Sequence, residues 1–98
     1  MAISLVSIAI LLQIERGECK KARIGLGAVA PKPMRAYRTE DMLIGEKITE
    51  SLIKDCCQNV EREISPISDV RASSEYRKSM ASLLLRRLIE QLVSEGSR

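Results

Sequence analysis

Bulky apolar residues alternate with smaller or polar ones along the first hydrophobic stretch, residues 3–14. One set of alternate positions is Val6, Ile8, Ile10, Leu12 and Ile14, and the other is Leu5, Ser7, Ala9, Leu11 and Gln13. A period of two, rich in β-branched residues, predicts a strand with one bulky face. The stretch is too short for a membrane-spanning helix and has no basic residues before it, so we expect neither a membrane anchor nor a signal peptide.

The same alternation returns after a polar break. Residues 15–18 include Gly17 and predict a hairpin turn, and residues 20–30 predict a second strand with Ala22, Ile24 and Leu26 on one side. Its other side contains Gly25 and Gly27, which leave room for close approach by another backbone or a helix. Two prolines then end regular pairing, and residues 34–36 predict a short third strand.

The second half of the chain changes to helical spacing. We expect Thr39 to cap a short helix that Gly45 ends, and Thr49 to cap a second helix that ends before Pro66. The apolar stripe predicted for that second helix is Leu52, Ile53, Cys56, Val60 and Ile64.

The last helix is predicted over about twenty residues at 1.5 Å each, capped by Ser73 or Ser74. Its expected buried side is Tyr76, Met80, Leu83, Leu84, Leu88 and Leu92. Strands followed by helices define an α+β domain, with an antiparallel sheet of about three strands in the N-terminal half packed against three helices in the C-terminal half. Residues 1–98 are predicted to form one domain.

The amino-acid composition limits the kinds of site that the chain can form. The 98 residues carry a net charge of +3 and are 45% hydrophobic, with two tyrosines as the only aromatic residues and no histidine. The core must therefore be aliphatic, stacking on nucleic-acid bases is disfavoured, and the commonest general base and metal ligand is missing.

The three cysteines, Cys19, Cys56 and Cys57, lack a CxxC spacing and are odd in number. A disulfide framework or zinc site is therefore unexpected, and reduced thiols indicate a cytoplasmic protein. Cys56 belongs to the apolar stripe and is predicted to be a small buried residue, whereas the adjacent Cys57 points about 100° away from it.

Other candidate motifs lack their required context. The GxG at Gly25 and Gly27 is not followed by a third glycine and a helix, as dinucleotide binding needs. No serine lies in a nucleophile elbow. The carboxylates are interpreted as helix caps and solvated groups: Glu40, Asp41, Glu46, Glu50, Asp55, Glu61 and Glu63. We therefore assign no catalytic, cofactor-binding or metal-binding residue.

The most distinctive segment, residues 65–77, leads into the last helix. It contains Pro66, Ser68, Asp69, Arg71, Ser73, Tyr76 and Arg77. This spacing resembles the P-x-S-D-x-R-x-S-x-x-Y-R signature of the FAD-binding subunits of molybdenum hydroxylases, the xanthine dehydrogenase and carbon monoxide dehydrogenase group. Residues 22–36 resemble a strand and turn of the same domain, and Glu40, Leu43 and Gly45 resemble its next helix.

The resemblance implies the C-terminal domain of such a subunit, an α+β domain that supports FAD-dependent electron transfer without catalysing alone. It implies FAD in a preceding domain absent from this chain, and molybdopterin and iron–sulfur clusters in partner subunits. The signature residues are then structural or docking residues. Without the flavin domain, the face with Leu5, Ser7, Ala9 and Leu11 is expected to favour self-association.

One alternative from another class stays open. The mild positive charge allows a free-standing interaction or oligomerisation module, weakly bound to nucleic acid if Lys20-Lys21 and Arg86-Arg87 meet in space.

Overall fold

Three strands precede three helices along the chain, as the sequence pattern predicts. The computed structural model describes residues 7–27, 34–64 and 71–96, without the side chains of 71–74 and 96. The elements are β1 (Ser7–Glu15), β2 (Glu18–Gly27), β3 (Met34–Arg35), α1 (Tyr37–Leu43), α2 (Glu50–Ile64) and α3 (Arg71–Gly96). The sheet is antiparallel in the order β1-β2-β3. The α+β class and the three-stranded sheet on three helices are confirmed.

A two-residue turn joins β1 to β2. Arg16 and Gly17 both have positive φ, 55° and 79°, which matches the right-handed twist of a hairpin. The register shifts after Gln13, so that Gln13 pairs with Lys21 while Ile14 pairs with Cys19. Lys20 is therefore the extra residue of a bulge.

The inner face of the sheet and one side of each helix form a single aliphatic core. Ala22, Ile24 and Leu26 of β2 are buried, and Ile8, Ile10 and Leu12 of β1 pack against them. The alternation predicted for both strands is thus confirmed where the structure describes it, while residues 3–6 and 28–30 lie outside that description. All three helices are on this inner side, since the residues they bury belong to the same cluster.

Glu40 of α1 is buried, and its interpretation as an exposed cap was wrong. It is 3% exposed. One carboxylate oxygen accepts from the backbone N–H of Ile24 at 2.8 Å and from Arg35 Nε at 3.1 Å, and the other from Arg35 at 2.7 Å. A single side chain thereby joins α1 to β2 and β3.

Acid should weaken this connection. Burial raises the pKa of Glu40, but hydrogen bonds from Arg35 and Ile24 outweigh it and hold the pKa below 4.5. A carboxyl with a lowered folded pKa contributes stability above its unfolded pKa and loses it as pH falls through the folded value. We expect the stability difference between the native protein and Glu40→Gln to be constant above about pH 5 and to shrink below pH 4.5. Urea unfolding at stepped pH measures it, and a pH-independent difference would contradict the assignment.

Thr39 does not cap α1, contrary to the prediction. The helix begins at Tyr37, and Thr39 is fully buried. Glu63, near the end of α2, instead accepts from the backbone N–H groups of Arg38 and Thr39 at 3.1 and 2.9 Å and from the Thr39 hydroxyl. Asn59 donates to the same carboxylate at 3.2 Å. A carboxylate from another helix thus satisfies the free N–H groups that every helix start leaves, and Glu63 is not simply solvated.

The boundaries of α2 follow the sequence pattern closely. Thr49 Oγ1 accepts from the N–H of Leu52 at 3.1 Å, which confirms the predicted cap. Ile53, Cys56, Val60 and Ile64 are buried, whereas Leu52 is only partly so. Cys57 is also buried, because α3 packs beside α2 and covers that second side.

The predicted cap of α3 was wrong, and its predicted buried side was right only in part, since Met80, Leu84, Leu88 and Leu92 are half-buried. The helix starts at Arg71 and runs 26 residues, so Ser73 and Ser74 lie inside it. Its fully buried residues are Ala81, Leu85 and Ile89, while Tyr76 and Leu83 are 61% and 41% exposed. Apolar residues occur around most of this helix, so spacing alone selected a stripe rotated from the true one.

Candidate docking surface

The signature segment is only partly within the described chain. Pro66, Ser68 and Asp69 lie outside it, and Arg71 and Ser73 are described only as backbone of α3. Their predicted docking role stays a prediction.

The two signature residues with described side chains differ in exposure. Tyr76 is largely exposed, and Arg77 is half-buried. Among the residues that the structure describes, none forms a hydrogen bond with the buried Nε of Arg77. Because an unsatisfied buried donor costs about 1–3 kcal/mol, this end of α3 favours an added acceptor.

The outer face of the sheet has no helix on it among the described residues, and we call it the open face. It presents Ser7, Ala9, Leu11 and Gln13 of β1 and, paired with them in register, Gly27, Gly25, Arg23 and Lys21 of β2. Leu11 is 52% exposed. Small or apolar residues occupy the end near Ser7, and polar residues the end near the hairpin. The sequence predicted the β1 part of this face.

A shallow hollow of about 780 Å³ occupies the small-residue end of the open face. Ser7, Ala9, Gly25 and Gly27 form its floor, and Met34, Arg35 and Tyr37 are among its lining residues. A second hollow of about 300 Å³, which includes Leu11 and Arg23, shares Ala9, Gly25 and Arg35 with the first. Together they form one continuous depression between β1 and β3, which we call the hollow.

Positive charge borders the hollow. Arg35 is held by Glu40 and stacks with its guanidinium carbon 4.5 Å from the centre of the Tyr37 ring, which is a cation–π geometry. Arg23 is exposed, and no carboxylate among the described residues hydrogen-bonds it. Sequence reasoning missed this border, because the arrangement depends on the pairing of β2 with β3 and on the side chain of Glu40.

Neither the GxG motif nor a cluster of metal ligands forms a cofactor site among the described residues. Gly25 and Gly27 lie inside β2 and not at a strand-to-helix turn, so they cannot aim a helix N-terminus at a pyrophosphate. Within residues 7–27, 34–64 and 71–96, no three histidine, cysteine or acidic residues cluster as metal ligands do. In the same ranges, no helix is both long and apolar enough to cross a membrane.

The two basic pairs are each engaged by carboxylates. Lys20 bonds Glu18 at 2.6 Å, and Arg86 pairs with Glu50 and with Glu90, the latter at 3.5 Å. One residue of each basic pair, Lys20 or Arg86, is therefore neutralised by a nearby carboxylate. This weakens the hypothesis that the two pairs form a nucleic-acid-binding patch.

The three thiols are free and buried, as predicted for Cys56. Cys19 and Cys56 are fully buried and Cys57 is 6% exposed. Burial raises the pKa of Cys19 and Cys57, and with the neighbouring Cys57, Asp55 and Cys19 it raises the pKa of Cys56 to about 12. These thiols are neutral at physiological pH and unreactive.

Thiol labelling should therefore report unfolding. We expect negligible reaction of the native chain with a water-soluble disulfide reagent at pH 8, and full reaction in denaturant. Absorbance of the released thiolate measures both, and one thiol that reacts quickly without denaturant would contradict the packing around the cysteines.

Sheet topology and helix placement together define a small α+β domain, with helices on one face of the sheet among the described residues. The chain matches the family model of the CO dehydrogenase flavoprotein C-terminal domain over residues 1–92. It therefore belongs to this family, the C-terminal domain of the FAD-binding subunit of molybdenum hydroxylases.

Its relatives include the glyceraldehyde dehydrogenase medium chain of Sulfolobus acidocaldarius, 32% identical over 91% of this chain and 32% of the relative. The carbon monoxide dehydrogenase medium chain of Afipia carboxidovorans is 34% identical over 85% of this chain and 29% of that protein. The crystal structure of a Cu,Mo-CO dehydrogenase matches with a TM-score of 0.77 at 31% identity, over 91% of this chain and 31% of that one. The chain thus spans about a third of the length of these proteins.

Proposed function

We propose that this chain is a docking domain of a FAD-binding subunit, which supports electron transfer through FAD and does not catalyse a reaction alone. The observation that carries the proposal is the match to a flavoprotein C-terminal domain over residues 1–92, in relatives about three times as long. We place the flavin in the remaining two thirds of such a subunit, since the GxG of this chain lies inside β2 and not at a strand-to-helix turn.

The partners follow from the same observation. The relatives are medium chains, and the solved neighbour is a molybdenum enzyme. We infer that the flavin-binding part of the subunit packs on this domain, and that subunits with molybdopterin and iron–sulfur clusters complete the assembly. A cytoplasmic location fits the free thiols.

The packing suits this mechanical role. One core of aliphatic residues and three cysteines joins the sheet to all three helices. The Glu40 bonds fix β3 against α1. Such a domain holds the relative positions of its surfaces, and electron transfer between cofactors in other parts depends on fixed distances.

The test is to add an affinity tag to the chromosomal copy of the gene and purify the protein from its source cells. The amounts of flavin and of metals are then measured per copy of this chain. We expect FAD, molybdenum and iron in constant ratio to the chain. The flavin-binding part is expected either joined to it, in a band well above 10.9 kDa, or as a separate polypeptide. Purification without flavin or metal would overturn the proposal, and salt-dependent retention of nucleic acid instead would favour the alternative.

A further inference from the structure

The open face contains a glycine that the fold of this chain does not itself require. Gly25 lies in the middle of β2, opposite Ala9, and its φ is not positive. A Cβ added there would meet only the carbonyl oxygen of Ala9, at 3.9 Å, among the described residues. A glycine within a strand destabilises it relative to alanine, so an occupant from outside explains this residue better than internal packing.

The neighbouring residues extend the same feature. Ser7 faces Gly27, where an added Cβ would lie 2.5 Å from Ser7 Oγ, so a side chain at residue 27 would require the Ser7 hydroxyl to rotate away. The four small residues line the larger part of the hollow, and its volume of about 780 Å³ is enough for several side chains of another protein. Leu11, beside it, adds exposed apolar surface.

The order of domains in the family favours the flavin-binding part of the subunit as the occupant of the hollow. In the family, this domain is the C-terminal one, so the larger part of a full-length subunit precedes it. The matched region begins at residue 1, six residues before Ser7, and six residues span at most about 20 Å. When the flavin-binding part is joined to this chain, its attachment point is within that distance of Ser7, which lines the hollow.

The arginines at the border of the hollow indicate which groups an occupant would place against them. Arg23 lies in the electrostatic field of Glu40 without a hydrogen-bonded carboxylate among the described residues, and Arg35 is fixed in place by Glu40 and Tyr37. Two arginines beside one carboxylate leave a net positive charge at this border. An apolar protrusion for the floor, bordered by carboxylate or carbonyl oxygens, would be complementary.

We propose that the hollow, formed by Ser7, Ala9, Gly25 and Gly27 beside Arg23 and Arg35, is the seat of the flavin-binding part of the subunit. This inference rests on the proposed function and adds which face of the domain performs the docking. The helical side stays outside this interface.

Site-specific thiol labelling tests the proposal on the protein as it is purified. The native cysteines are buried, so Ala9→Cys places a single exposed thiol in the hollow. Ser51→Cys places a matched one on α2, away from the open face. We expect both to react with a maleimide at similar rates in the isolated 98-residue chain. Within the flavin-containing assembly, Ala9→Cys should react at least about a hundredfold more slowly, as a desolvated interface core does, with Ser51→Cys unchanged.

Filling the hollow gives an independent test. Gly25→Val should leave the unfolding midpoint of the isolated chain unchanged or higher, because valine favours strands and the site is open. It should weaken recovery of the flavin-containing assembly at least about tenfold, as overpacking does. Gln13→Val, on the same face beyond the hollow, is the matched control and should have no such effect.

The outcomes separate the two proposals. Equal labelling of Ala9→Cys in chain and assembly, with flavin still present, would overturn this inference and leave the proposed function intact. Protection of Ala9→Cys in the isolated chain, with a doubled mass in solution, would mean that a second copy covers the face and would also overturn it. Absence of flavin from the assembly would overturn the proposed function itself.

Discussion

Replacing Glu40 with alanine is expected to lower the free energy of unfolding by about 3 kcal/mol. The substitution removes the acceptor of the buried Ile24 N–H and leaves Arg35 without its carboxylate partner. The Arg35 side chain is 42% exposed and regains water, which keeps the loss at the lower end of the range for a broken buried pair. Urea unfolding followed by circular dichroism measures the change.

Asp41 provides the matched control for this prediction. It is the next residue of the same helix and is exposed, so Asp41→Ala should change stability by less than about 0.5 kcal/mol. Similar losses for the two variants would show that helix propensity, not the bonds of Glu40, dominates. The prediction would then be wrong.

The substitution Leu85→Ala should lower the free energy of unfolding by about 3 kcal/mol. The Leu85 side chain is fully buried in the core on the inner side of α3. Leu83, two residues earlier on the same helix, is 41% exposed, and Leu83→Ala should cost less than about 1 kcal/mol. Thermal unfolding compares the two variants directly.

This pair also decides between two orientations of α3. The apolar spacing of the sequence favoured Leu83 as a buried residue and passed over Leu85. A larger loss for Leu83→Ala than for Leu85→Ala would restore the sequence-based orientation and contradict the packing of the helix.

The strands were predictable because each has one buried face. Ile8, Ile10 and Leu12 alternate with exposed residues, so a period of two defines both the element and its orientation. The bounds of α2 were predictable for a similar reason, since one stripe is apolar and Thr49 is a strong cap. In α3, leucines occur on several sides, and only contact with α2 and β1 determines which are buried.

The candidate surface was predictable only in part. The alternation in β1 identified Ser7, Ala9 and Leu11 as an unmatched face, and the glycines of β2 indicated room for close approach. The positive border was not predictable, because it requires Glu40 to reach across to Arg35 from a different element. A buried carboxylate in an apparently solvated helix start carries no local sequence signal. The signature segment gave the family, but its described residues do not themselves form a site.

The capping of α1 by Glu63 has a consequence for the order in which the domain assembles. Seven residues are too few for a helix to persist alone in water, where about 12–15 are marginal. The first N–H groups of α1 find their acceptor on a residue 24 positions later in sequence than Thr39. The segment therefore becomes helical only once α2 is in place, and the two open as a single cooperative unit. Amide protons of α1 should exchange at the rate set by loss of α2 rather than at the fast rate of an isolated turn.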